Sequence, residues 1–126
     1  MGKRNDMSNL AKDIYEWCVR NEVWQDCCIY IAGDAYATWK DWEGEDGEKL
    51  AENLYKYECK NPLDYCQYAT PATITFTFEG DMYRIMNNYW EYETWTKQYN
   101  EFCKLFDKYD CWFEQGYAYS LSVYLD

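Results

Sequence analysis

The chain has no histidine, only two prolines and six glycines, and twelve Lys and Arg among 126 residues. Without imidazole there is no Ser-His-Asp or Cys-His arrangement, no usual general base near neutral pH and none of the commonest zinc ligand. The few glycines build no phosphate-binding loop, since none falls in GxGxxG or GxxxxGK order. Set against 23 Asp and Glu, the scarce basic residues leave a formal net charge of -11. A field of that sign repels phosphates and anionic headgroups, which excludes direct nucleic-acid and membrane-surface partners and favours basic protein surfaces. No apolar run approaches membrane-spanning length, and the opening MGKRNDMSNL lacks the apolar core of a signal peptide. Asp6 also stands where an N-myristoylation motif needs Ser or Thr. These absences lead us to expect a soluble, cytoplasmic protein.

What is present is apolar and aromatic. Hydrophobic residues make up 48% and aromatics 21%, too much for a disordered chain and enough for one domain that buries roughly two-thirds of its unfolded surface. Seven cysteines, at 18, 27, 28, 59, 66, 103 and 111, form an odd set with no C-x2-C pair. They read as packing thiols in a reducing compartment, with no disulfide framework, zinc site or other cofactor. Asp41, Glu43, Glu45 and Glu52 match positions 1, 3, 5 and 12 of an EF-hand loop, but Asp46 stands where that loop needs glycine, so no calcium site is expected.

The clearest strand signal is Ala72 to Trp90, where Ile74, Phe76 and Phe78 alternate with Thr73, Thr75 and Thr77. Gly80-Asp81 is predicted to turn this segment into a central hairpin that sets Phe78 opposite Tyr83, with Thr75, Thr77 and Arg84 facing water. Cys27 to Trp39 predicts a second hairpin about Gly33-Asp34, with Ile31 across from Tyr36, Ile29 across from Thr38 and both faces apolar enough for the middle of a sheet. Helices are predicted at about Asn9–Asn21, capped by Ser8, at Glu48–Cys59, capped by Asp46, and at Glu93–Tyr109. Asn61-Pro62 opens a short helical turn over Leu63–Tyr68, and Cys111 to Asp126 reads as a strand or a hairpin bent at Gly116. The two Gly-Asp segments suggest a weak internal repeat. The expected architecture is a mobile tail over 1–7 and a single α+β domain over 8–126. Its antiparallel sheet is built from hairpins in the order α-ββ-α-ββ-α-β, with helices mainly on one face.

The candidate site is the block Asp41 to Glu48, with five acidic residues and two glycines in eight positions. If extended, Asp41, Glu43 and Glu45 would project carboxylates about 6.6 Å apart along one edge, a spacing like that of charge along a nucleic-acid backbone. Asp46 and Glu48 extend the charge, and Trp39 and Trp42 would supply anchoring contact area. A basic protein could close on this surface as it closes on DNA or RNA. The same segment also reads as a solvated loop with Trp39 packed in the core.

In size, acidity and lack of catalytic residues the chain resembles, as a class, the small inhibitors that phages and mobile elements encode against host nucleases, the antirestriction and anti-CRISPR proteins, some of which imitate DNA. That resemblance implies a non-enzymatic protein that occludes the basic nucleic-acid-binding surface of another protein. Two other readings stay open: an immunity protein or antitoxin neutralising a basic toxin, and a small enzyme or ligand-binding domain with a cleft between helix 3 and the sheet.

Overall fold

A computed structural model describes residues 3–31, 33–42, 45–59, 61–66, 69, 73–87 and 93–125. Helix α1 (Lys3–Arg20) forms because Met7, Leu10, Ala11, Ile14, Trp17 and Cys18 recur on one buried face. It stops in a Schellman turn, with Glu22 left-handed at φ 59, Val23 N–H donating to Cys18 O at 2.8 Å and Glu22 N–H to Val19 O at 3.1 Å. Ser8 is therefore inside the helix rather than its cap, and the tail expected over 1–7 is helical from Lys3. Met7, three residues before Leu10, carries the apolar stripe one turn further back and is 2% exposed.

Strands β1 (Cys28–Ile31) and β2 (Gly33–Ala37) form the first hairpin. Ile29 faces Tyr36 and Ile31 faces Asp34, a two-residue slide from the expected register. Asp34, expected in the turn with Gly33, is paired with Ile31 instead, and Gly33 has the positive φ of 89 that the turn needs. A slide of two preserves which side each residue faces, so Ile29, Ile31 and Tyr36 stay together opposite Cys28, Tyr30 and Ala37, as expected. After β3 (Asp41–Trp42) and β4 (Glu45–Asp46), the segment predicted as a helix over Glu48–Cys59 is instead the hairpin of β5 (Glu48–Ala51) and β6 (Leu54–Cys59). Asp46 thus caps no helix. The spacing of Leu50, Leu54 and Tyr57 is helical, yet Leu50 is 47% exposed, while the alternating Tyr57 and Cys59 are buried and Asn53 takes the turn at φ 56. A 3-10 turn over Pro62–Asp64 follows, with Asn61 Oδ1 accepting from Leu63 N–H at 3.1 Å, the expected cap.

Strand β7 (Ile74–Thr77) matches the threonine alternation, but the predicted return strand is the helix α2 (Gly80–Met86). Met82, Ile85 and Met86 are buried at helical spacing, and Arg84 bonds Asp81 at 2.9 Å across one turn. Phe78 therefore does not face Tyr83. Gly33 and Gly80 also open different structures, so the local repeat does not extend to the fold. Thr75 is 1% exposed and does not meet water; Ser120 and Ser122 are buried beside β7 on the same face. Helix α3 (Glu93–Asp107) lies where predicted. The chain ends in β8 (Cys111–Tyr117) and β9 (Ser120–Leu125), which turn at Ala118–Tyr119, with a register shift between Gln115 and Tyr117 that makes Gly116 a bulge rather than the corner.

The sheet is antiparallel, in the order β5-β6-β2-β1-β7-β9-β8, so the first hairpin is central as expected. The fold is α+β. Among the described residues, helices α1, α2 and α3 bury their apolar faces with Ile29, Ile31, Ile74, Phe76, Leu121 and Val123 in one core. On the opposite face Cys28, Tyr30, Ala35, Ala37, Tyr57 and Cys59 form a second, smaller cluster, against which Trp39, Tyr55 and Cys66 pack. Among the described residues no helix is long and apolar enough to cross a membrane.

Candidate partner-binding site

The second cluster positions the acidic block. Trp39 leaves β2 half-buried against this cluster. Its indole Nε1–H donates to Asp26 Oδ1 at 3.2 Å, and its carbonyl accepts a short hydrogen bond from the Tyr57 hydroxyl. The chain then folds back on itself, pairing Asp41 with Asp46 and Trp42 with Glu45, and Gly47 N–H donates to Lys40 O at 2.8 Å across the base. Gly47 lies so close to the tyrosines of β6 that a Cβ there would be 2.6 Å from Tyr57 Cζ and 2.8 Å from Tyr55 Cβ. The acidic hairpin thus stands on a tyrosine-tryptophan base rather than floating as a loop.

That fold decides where the predicted residues go. Asp41 and Asp46 are brought face to face, both exposed, and a hydrogen bond to the Asp46 carboxyl raises the Asp41 pKa, with lesser contributions from desolvation and from Asp46's charge. Neither makes an ion pair among the described residues, although Lys12, Lys56, Arg84 and Lys108 each pair with a carboxylate elsewhere. Glu48 is exposed at the start of β5, with Lys56 opposite it in register. Glu43 lies outside the described residues. Asp41 and Glu45 do not lie along one extended strand, because 41–42 and 45–46 pair with each other. Trp39 is half-buried, with part of its surface packed on the second cluster. The residues missed from the sequence are Asp26, Gly47 and Tyr57. Burial raises the Tyr57 phenol, followed by the charges of Asp41 and Asp46, which places both carboxylates within electrostatic reach of that ring.

A cleft of about 290 Å³ opens beside Trp39, lined by Asp26, Tyr30, Tyr65, Glu79 and Tyr119 among others. A more apolar groove of about 280 Å³ lies between α1 and the sheet, against Ile29, Ile31, Tyr36, Leu50 and Leu54. The space expected between the third helix and the sheet is packed instead: Phe102 and Phe106 of α3 are buried, with ring centroids 5.9 and 4.9 Å from that of Phe113.

All seven cysteines are free. Burial pushes the Cys27 thiol up to about 12 and Cys59 up to about 11, and raises Cys18 and Cys28 as well, the reverse of what a thiolate nucleophile needs. Among the described residues no group of His, Cys, Asp or Glu side chains is placed to hold a metal ion. Comparison with protein-family models, curated proteins and solved structures gives no match to the chain.

Proposed function

We propose that the protein is a non-enzymatic inhibitor that binds and occludes the basic, nucleic-acid-binding surface of another protein, of the kind that phages and mobile elements direct at host nucleases. The observation that carries this reading is the pair Asp41 and Asp46, held against each other at the surface on a packed base. Two carboxylates in contact repel once ionised, and a cation from outside relieves that repulsion; a guanidinium does so with a fork of donors matched to carboxylate oxygens. Because Trp39, Tyr57 and Gly47 fix the hairpin beforehand, little freedom is lost on binding. The net charge of -11 supplies long-range steering toward a basic face. The resemblance to nucleic acid in this reading is one of charge and not of phosphate spacing. Free, high-pKa thiols suit a reducing, cytoplasmic setting.

The test is displacement of a fluorescent oligonucleotide from a panel of purified nucleic-acid-binding enzymes. The protein is expected to displace it from at least one enzyme, less effectively as salt rises, without binding the oligonucleotide itself. Changing Asp41, Glu43, Glu45, Asp46 and Glu48 to Asn or Gln is expected to weaken displacement by at least about tenfold. Equal displacement by that variant, or binding of the oligonucleotide by the protein alone, overturns the reading.

A further inference from the structure

We infer that the cleft beside Trp39 is a receptor for a single arginine side chain of the basic partner, a step that rests on the proposed function above. The cleft brings together five aromatic residues, Tyr30, Trp39, Tyr65, Phe78 and Tyr119, and two acidic residues, Asp26 and Glu79, and among the described residues no Lys or Arg lines it. Aromatic faces with carboxylates and no competing cation attract positive charge through the ring quadrupole and by direct ion pairing. Its volume of about 290 Å³ lies at the bottom of the range for small-molecule sites, roughly 300–1,000 Å³, a size for one side chain rather than a large ligand.

The walls are organised in advance. Tyr30 and Tyr65 stack with centroids 5.9 Å apart and planes 17° from parallel. Tyr65 and Tyr119 remain 43% and 49% exposed, a large share for aromatic residues in a chain with a well-filled core. Asp26 holds a left-handed backbone at φ 49 and receives the Trp39 indole N–H, so a strained residue fixes one carboxylate at the cleft. Glu79 occupies the N-cap position of α2, makes no side-chain cap hydrogen bond and lines the cleft. A guanidinium satisfies this arrangement better than a quaternary ammonium, because it stacks on rings and also donates to carboxylates. Trp39 joins the cleft to the acidic hairpin directly, since Asp41 follows it by two residues. An arginine seated here would place neighbouring basic residues of the same partner against Asp41 and Asp46.

The experiment is an NMR titration of the ¹⁵N-labelled full chain with the blocked tripeptide acetyl-Gly-Arg-Gly-amide, its uncharged citrulline counterpart and free arginine, following the Trp39 indole N–H. The arginine tripeptide is expected to move that resonance saturably, and the citrulline peptide to bind at least tenfold more weakly. Glu79→Gln, which removes no side-chain cap hydrogen bond, is expected to weaken the arginine tripeptide at least fivefold with the rest of the spectrum retained, and Asp41→Asn/Asp46→Asn to leave it within twofold. An unmoved indole resonance, equal binding of the citrulline peptide, or full affinity in Glu79→Gln overturns the cleft assignment. Tighter binding of free arginine than of the tripeptide also overturns it, since the site would then take a small molecule. Failure of the broader reading appears separately, as absence of oligonucleotide displacement by the parent protein while the tripeptide still titrates the cleft.

Discussion

Gly47→Ala is the most informative single perturbation of the site, because it changes the seating of the acidic hairpin without changing its charge. The backbone at Gly47 is outside the left-handed region, so alanine is locally permitted and by itself would stabilise by about 0.4–1 kcal/mol through the unfolded chain. The new methyl, however, would be 2.6 Å from Tyr57 Cζ, 2.8 Å from the Tyr57 hydroxyl and 2.8 Å from Tyr55 Cβ. Tyr57 is buried, and its hydroxyl is tied to the Trp39 carbonyl; Tyr55 Cβ is attached to a paired strand. None of these atoms can give way cheaply, and forced insertion into packed surroundings costs about 1–3 kcal/mol. The net expectation is a loss of about 1–2 kcal/mol and a melting temperature lower by roughly 3–8 °C. Thermal unfolding followed by circular dichroism measures it. In a Tyr57→Leu background, where the ring is gone, the same substitution should cost about 1 kcal/mol less. A Gly47→Ala protein that melts at or above the parent, or an equal cost in both backgrounds, would refute the claim that the hairpin rests on Tyr57.

Three further outcomes follow from the same structure. The folded-state pKa of Asp41 is raised by its contact with Asp46, so its contribution is complete below the unfolded carboxyl value and is lost as pH rises through the raised one. Asp41→Asn should therefore gain stability relative to the parent on going from acid to neutral pH in urea titrations, and parallel pH curves would contradict the contact. Iodoacetamide should modify native Cys66 and Cys103, which are partly exposed, before the buried Cys18, Cys27, Cys28, Cys59 and Cys111, with mass spectrometry as the readout; early labelling of Cys28 would mean that the second cluster is open. Phe102→Ala removes a ring buried against Trp17, Phe76 and Phe106 and should cost about 3–5 kcal/mol in chemical denaturation; a cost under about 1 kcal/mol would contradict the placement of α3.

The elements readable from the sequence were those whose pattern fits one period only. Trp95, Tyr99, Phe102 and Phe106 fit a helix, Cys28 to Ala37 fits a hairpin, and Asn61-Pro62 is a local cap; all three are found. The misreadings lie where two periods overlap. Leu50, Leu54 and Tyr57 space like a helix while Tyr55, Tyr57 and Cys59 alternate, and the open place beside Ala35 and Ala37 of β2, which Tyr57 and Tyr55 fill, decides for the strand. Met82, Ile85 and Met86 are helical, but the strand before them and the Gly-Asp pair masked that signal. At the candidate site the charge was legible and the shape was not. Asp41 meets Asp46 only because Tyr57, more than ten residues downstream, offers a surface on which the chain can fold back, and Asp26 joins through Trp39. Those are tertiary relations, carried by no local motif.

The central claim is that fixed negative charge on a packed base grips a basic protein surface. Stopped-flow association with an enzyme identified in the displacement panel, at low and at high ionic strength, tests it most directly. The account predicts an on-rate that falls by at least about tenfold between 0.05 and 0.5 M salt, and that starts lower and falls less for the variant neutralised at Asp41, Glu43, Glu45, Asp46 and Glu48. An on-rate that ignores salt, or is the same for parent and variant, would contradict it.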